Sequence, residues 1–157
     1  CGYESRLFSS AEDFLARAGK VLPEHLRREI EEEVDVLLNH AGFAALFAAG
    51  SRAEVPIVGK LNLGHESIRV SGQVDRLVVT QDAVLIADFK TNRPAPRRIE
   101  DVPPAYVRQL ALYRAVLMKL YPDKSVRAAL VWTEVPDLME ISAQALDAAL
   151  AQVTTAR

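Results

Sequence analysis

Residues 74–80 and 83–89 are two runs of β-branched and aliphatic side chains with only the polar pair Gln81-Asp82 between them. Short apolar runs around a two-residue polar break read as a β-hairpin, and this hairpin is the strongest local constraint in the chain. Gln-Asp is not a favoured primed-turn pair, so a loop one or two residues longer also suits the pattern. A turn centred on Gln81-Asp82 sets Asp75 directly across from Asp88. Side chains opposed in this way have Cβ atoms about 4.5–5.5 Å apart, where like charges are destabilising. A divalent cation resolves the conflict, because magnesium takes a few carboxylate oxygens and keeps water on its other positions. Lys90 lies two residues beyond Asp88 and shares its face. Asp75, Asp88 and Lys90 are therefore expected on one sheet face, an arrangement suited to metal-dependent hydrolysis.

The bulk properties narrow the setting. With 157 residues, 50% hydrophobic and 25% charged, the chain reads as one globular domain with a real core. A net charge of -2 argues against nucleic-acid binding through the whole surface and leaves room for a local basic patch. The single cysteine, Cys1, excludes a disulfide framework, a structural zinc cluster or a cysteine-held iron–sulfur cluster within this chain. No apolar run approaches the roughly 18 residues of a membrane span, and no signal peptide is visible, so the cytoplasm is expected. The chain opens on Cys-Gly-Tyr rather than Met, which suggests a piece of a longer polypeptide.

The remaining elements follow from periodicity and punctuation. Residues 10–19 read as a short helix capped by Ser10, with acidic Glu12 and Asp13 in its first turn. A longer helix is expected from Pro23, with Leu26, Ile30, Val34, Leu37 and Leu38 at helical spacing and an acidic solvated face. Residues 43–48 form a short apolar helix or turn ended by Gly50. Residues 53–58 read as a strand in which Pro56 suggests a sheet edge, and residues 67–71 as a separate half-buried strand. The second hairpin strand is apolar on both faces and is expected to be central. Four prolines in residues 91–104 argue against regular structure there. A third long helix begins around Ala105 and is closed by Pro122. Residues 126–134 read as a buried strand, residues 138–141 as a short one, and Ser142 as the cap of a final helix through Val153. The order implies an α+β domain with a central mixed sheet flanked by helices.

Several further residues carry possible chemistry. Gln109 and Tyr113 share a helix face; Tyr113 is either a core tyrosine with a satisfied hydroxyl or, with Gln109, a support that holds Lys90 or a phosphate. Glu54 is either an accessory acid or a surface strand glutamate. Arg93, Arg97 and Arg98 follow Lys90 on a proline-broken loop, and Arg108 and Arg114 on the next helix extend the basic patch, which suits a phosphodiester polyanion beside a cation site. His25, His40 and His65 show no metal-ligand spacing, and there is no nucleophile elbow, Walker loop or dinucleotide fingerprint.

In this order the segments GQVDRL, ADFKTNRP and QLALYR resemble the G-x-x-D, D-x-K-T and Q-x-x-x-Y motifs of RecB-type nucleases in the PD-(D/E)xK superfamily. Over residues 10–149 the chain is similar to the C-terminal nuclease domains of bacterial double-strand-break-repair helicase-nucleases of the AddA type, with RAEVPIVG, VPPAYVRQLALYRA and ALVWTEVPDLMEI adding to the resemblance. The resemblance implies a restriction-endonuclease-like, three-layer α/β/α domain. It implies that Asp75 and Asp88 ligate Mg²⁺, or Mn²⁺ in its place, with the Phe89 backbone carbonyl as a further oxygen. Lys90 would orient or activate the attacking water, with Gln109 and Tyr113 in support.

By the same resemblance the substrate is single-stranded DNA from unwound ends, and the partners are helicase domains of the same polypeptide and an AddB-like subunit, with no membrane. One departure is visible. The family carries a metal-ligand histidine in a G-x-x-x-H setting upstream, and no histidine here fits it. Relatives with an iron–sulfur cluster use four cysteines, which this chain lacks. The competing expectations are a catalytically incomplete DNA-guiding or partner-docking module of the same fold, and a plain structural domain.

Overall fold

The described residues form a five-stranded sheet in the order β1-β2-β3-β4-β5, made by Ser51–Leu63, Glu66–Val79, Ala83–Lys90, Ser125–Trp132 and Asp137–Ile141. The computed structural model describes residues 23–39, 43–48, 50–64, 66–135 and 137–155. The helix expected over residues 10–19 lies outside them. All pairings are antiparallel except β3 with β4, so the sheet is mixed and the hairpin's second strand is central, as its two apolar faces require. Pro56 lies in the edge strand β1, where the missing N–H breaks no ladder on a second side.

The chain divides into two compact units, Cys1–Ala44 and Ala45–Arg157. Within the first, α1 spans Glu24–Asn39, starts directly after Pro23, and carries an exposed Arg28–Glu24 pair at 2.6 Å. The second holds the sheet. A short helix α2, Ala44–Phe47, leads into it and is followed by Gly50 at φ +99°, a conformation that glycine adopts without strain.

Two helices, α3 (Pro104–Leu120) and α4 (Ala143–Thr155), pack on each other and supply the core with Leu110, Val116, Leu117 and Leu146. Pro104 occupies the first helical turn, where its missing N–H costs nothing. Ser142 caps α4 by accepting the Ala145 N–H at 3.2 Å. α3 sits close on β1 because Gly59 has no side chain: a Cβ there would stand 2.7 Å from Val116 Cγ1. Arg114 ties three elements together, donating to the Val126 carbonyl at 3.0 Å and to Asp147 at 2.7 Å.

Two expectations are corrected. Residues 67–71 and 74–80 are not separate strands but one continuous β2. The polar stretch Ser71-Gly72-Gln73 reads as a break by composition, yet β1 pairs along its full length, with Ile57 opposite Gly72, and carries the strand through. The proline-rich connection also contains one 3₁₀ turn, Ile99–Asp101, closed by Val102 N–H to the Ile99 carbonyl at 3.1 Å. It fits because no proline falls between Pro96 and Pro103.

The burial alternation of β2 changes phase midway. Val70 and Val74 belong to the core, and so does Leu77, three residues on. Opposite the change, Glu54 in β1 has φ +54° and is skipped by the pairing that joins Ala53 to Arg76 and Val55 to Val74. The shift brings Gly72 and Asp75, which a regular strand would point to opposite faces, onto the same side of the sheet.

Candidate active site

The β2–β3 hairpin pairs Val79 with Val84, Val78 with Leu85, Leu77 with Ile86 and Arg76 with Ala87. The turn residue Thr80 donates its N–H to the Ala83 carbonyl at 2.8 Å and takes the Ala83 N–H on its hydroxyl at 3.0 Å. One step beyond this ladder stand Asp75 and Asp88. Leu77 and Ile86 both face the core, so the period of two puts the acids on that same face. There the ladder gives way to a side-chain contact: Asp75 Oδ2 accepts the Phe89 N–H at 2.6 Å, which fixes the carboxylate against β3.

Asp88 is 5% exposed, and its Oδ2 forms an ion pair with Lys90 Nζ. That oxygen is shielded from solvent and has no well-directed hydrogen bond among the described residues. Burial pushes the Asp88 carboxyl above the ordinary carboxylate range; contact with Lys90 pulls it back, and the nearby Asp75 pushes it up again. The Lys90 ammonium lies over the Tyr106 ring, 4.2 Å from its centroid, and the Tyr106 hydroxyl donates to Asn92 Oδ1 at 3.1 Å. Tyr106 in turn lies 6.5 Å, centroid to centroid, from the buried Trp132 at the end of β4. The three groups expected on one face do meet there, at the carboxyl ends of the parallel pair β3 and β4.

On the helix side, the reading of Tyr113 as a core tyrosine with a satisfied hydroxyl fits the structure. Gln109 does not hold Lys90; its Nε2 donates to the Tyr113 hydroxyl at 3.1 Å. Tyr113 is buried and reaches over Gly72, where an added Cβ would meet its hydroxyl at 1.9 Å. Tyr106, which was not among the candidate residues named from the sequence, supplies the ring under Lys90. The available signal was its place one helical turn before Gln109 and Asn92's place two residues after Lys90.

The surrounding charges also separate. Glu54 is exposed and accepts a bond from the Gln73 amide, so it is not gathered with the two acids. Arg98 lies 3.6 Å from both Glu100 and Asp101. Arg114 is taken up by Val126 and Asp147 rather than joining the basic patch. Arg93 is exposed at the head of the loop, Arg97 lines a cleft of about 300 Å³ with Trp132 and Asp137, and Arg108 lines another of about 270 Å³ beside Gln109 and Tyr113.

Among the described residues no three His, Cys, Asp or Glu side chains come together as a metal cluster. The donor set that does exist, the carboxylates of Asp75 and the buried Asp88 side by side, fits a magnesium ion, which needs only one or two carboxylates and fills its other positions with water or substrate oxygens. The family model for the PD-(D/E)XK nuclease superfamily matches residues 3–155. The chain belongs to that superfamily.

The mixed sheet with flanking helices is accordingly the restriction-endonuclease-like α+β fold of PD-(D/E)XK proteins, and the domain is of nuclease type. The chain is also similar to a solved structure described as "Crystal structure of SSO0001", at 13% identity and a TM-score of 0.39, covering 94% of this chain and 71% of that one. No curated protein matches this PD-(D/E)XK chain at a significant level. Among the described residues no helix is long and apolar enough to cross a membrane.

Proposed function

We propose that the chain is a Mg²⁺-dependent deoxyribonuclease domain that cuts single strands delivered by helicase domains of the same polypeptide, during processing of double-strand breaks for recombinational repair. The observation that carries this reading is the meeting of Asp75, Asp88 and Lys90 on one face of the sheet. The motif resemblance to AddA-type helicase-nucleases supports the repair setting, an AddB-like partner subunit and a bacterial cytoplasmic location.

Asp75 and Asp88, with the Phe89 carbonyl, would hold the Mg²⁺ or Mn²⁺. A cation bound there lowers the pKa of its water and offsets charge developing on the phosphate. The chain's own groups supply the rest. Asp75 is held in place by the Phe89 N–H, so its carboxylate is oriented before substrate arrives. Lys90, fixed between Asp88 and the Tyr106 ring, sets a positive charge where a nucleophile must lose its proton. Arg93, Arg97, Arg98 and Arg108 are the cationic residues proposed to meet the DNA backbone, with Arg98 weakened by its acidic neighbours. Glu54 is left with a structural role on β1.

The test is cleavage of single-stranded DNA in Mg²⁺ by the intact parent protein, wild type against Asp88→Ala. A loss of about 10³-fold or more is expected for a group that holds the metal, and equal cleavage removes the proposal. A second reading, a DNA-guiding or partner-docking module of the same fold, is favoured by one observation: among the described residues only two acids meet, and one of them is already engaged by Lys90. Calorimetric titration with Mg²⁺ separates the two, since the module requires no binding that depends on Asp75 and Asp88.

A further inference from the structure

The basic loop that follows β3 has few backbone groups with which to hold itself. Within residues 94–96, Pro94 and Pro96 have a fixed φ and no N–H, so Ala95 carries the only backbone donor of the three. Glu134 takes it: the Ala95 N–H donates to Glu134 Oε2 at 2.5 Å, across 39 positions of the chain. The acceptor is itself placed. One residue before it, the Thr133 N–H donates to the Lys90 carbonyl at 3.1 Å and so extends the pairing of β3 with β4 past Lys90 and Trp132.

This bond does more than close a loop. A carboxylate that accepts a backbone N–H makes a charge-assisted bond, roughly twice as strong as a neutral one. The flanking prolines leave the segment few free dihedrals, so one anchor at Ala95 governs Arg93 and Arg97, each two residues away and both exposed. The two segments it joins also form the walls of the cleft of about 300 Å³ that Arg97 lines with Ala95, Trp132 and Val135. At the start of the loop, Asn92 is held by Tyr106, whose ring lies under Lys90. The loop is thus tied at two points to the strand and helix that carry the acidic centre. On charge alone the carboxylate is out of place, since an acid near two arginines opposes a polyanion.

From these contacts we infer that Glu134 is a positioning residue for DNA binding: by holding Ala95 it orders the loop that presents Arg93 and Arg97 to backbone phosphates, without touching the substrate itself. This rests on the nuclease reading for the identity of the polyanion. The gain is entropic, because a loop ordered before the strand arrives does not have to be ordered on binding. The role needs the reach of the side chain and an acceptor at its end, not its negative charge. Reach and charge can be varied separately.

Glu134→Asp keeps the charge and shortens the reach by one methylene, whereas Glu134→Gln keeps the reach and an acceptor oxygen and loses the charge. The intact chain is titrated with a fluorescein-labelled oligothymidylate in EDTA, so that nothing is cut, and thermal melts confirm that both variants fold. Glu134→Asp is expected to weaken binding by about tenfold, because the loop must then be ordered on binding. Glu134→Gln should stay within about twofold of wild type, as its amide oxygen still accepts the Ala95 N–H. In Mg²⁺ the effect of Glu134→Asp should fall on KM for the oligothymidylate and not on kcat. Charge alone predicts otherwise, with Glu134→Asp unchanged and Glu134→Gln tighter. A Glu134→Asp chain that binds as wild type does, an equal loss in both variants, or a fall in kcat with KM unmoved overturns the assignment. Wild-type hydrolysis of a small activated phosphodiester, which needs only the acidic centre, is followed separately. If it fails while oligothymidylate binding still follows the reach of residue 134, the nuclease reading falls and the positioning role stands.

Discussion

The Tyr113 hydroxyl lies where a side chain on Gly72 would begin, 1.9 Å from the position of an added Cβ. The strand glycine and the helix tyrosine, 41 positions apart in the chain, are therefore one structural device. It seats α3 over β2 and places Gln109 on the Tyr113 oxygen. Gly72→Ala is expected to cost about 1–3 kcal/mol, the usual range for overpacking. Tyr113→Phe should not rescue it, because the ring carbons at 2.7 and 2.9 Å still collide, whereas Tyr113→Ala should. Urea denaturation of the two single variants and the Gly72→Ala/Tyr113→Ala double variant checks this. Simple additivity would count against the contact.

Asp88 makes stability depend on pH in a defined direction. Its carboxyl is raised in the folded chain, chiefly by burial, so the folded state holds that proton more tightly than the unfolded one. The stability from this group is present in full below the unfolded carboxylate value of about 4 and is lost as pH rises through the higher folded value. Asp88→Asn removes that loss. In EDTA at neutral pH it should melt above wild type, by about 2–4 °C for each ~1 kcal/mol gained, and the difference should shrink as the pH approaches about 4. A difference that does not vary with pH contradicts the assignment.

Metal addition reverses this ranking. Millimolar Mg²⁺ should raise the melting temperature of wild type, because a ligand that binds only the folded chain stabilises it, and should leave Asp88→Asn where it was. Equal responses in both proteins would place the cation elsewhere.

Lys90 is held from two sides, and the two can be separated. Lys90→Ala leaves the Asp88 carboxylate buried without its counter-charge and is expected to cost roughly 3 kcal/mol at neutral pH. The penalty should diminish on acidification, since a protonated Asp88 needs no partner. Denaturation at two pH values decides it.

Tyr106→Phe keeps the ring beneath Lys90 and loses only the bond to Asn92, about 1 kcal/mol. Tyr106→Leu also removes the cation–π contact, a further 0.5–2 kcal/mol or so. If the proposed role of Lys90 is correct, Tyr106→Leu should depress the rate of DNA cleavage more than Tyr106→Phe, measured as kcat with saturating substrate.

The hairpin was legible because it is local. A two-residue turn and the period of two fix which residues oppose one another, and Asp75, Asp88 and Lys90 follow from that alone. The proline in β1, the Ser142 cap and the extent of α3 were legible for the same reason: each depends on neighbours within a turn or a pleat. The continuity of β2 was not, because Gly72 weakens a strand by its own propensity and is kept in this one by pairing with β1.

Sequence alone thus determined the acidic pair, the lysine beside it and the class of sheet that carries them. Only the tertiary structure decided that Tyr106 rather than Gln109 meets Lys90, that Tyr113 occupies the space left by Gly72, and that Arg98 and Arg114 have acidic neighbours. Periodicity reports which side of an element a residue occupies, but not how far along a sheet a helix is seated. That seating is set by close packing, here of Val116 on Gly59 and Tyr113 on Gly72, and it selects which side chains from distant parts of the chain share one site.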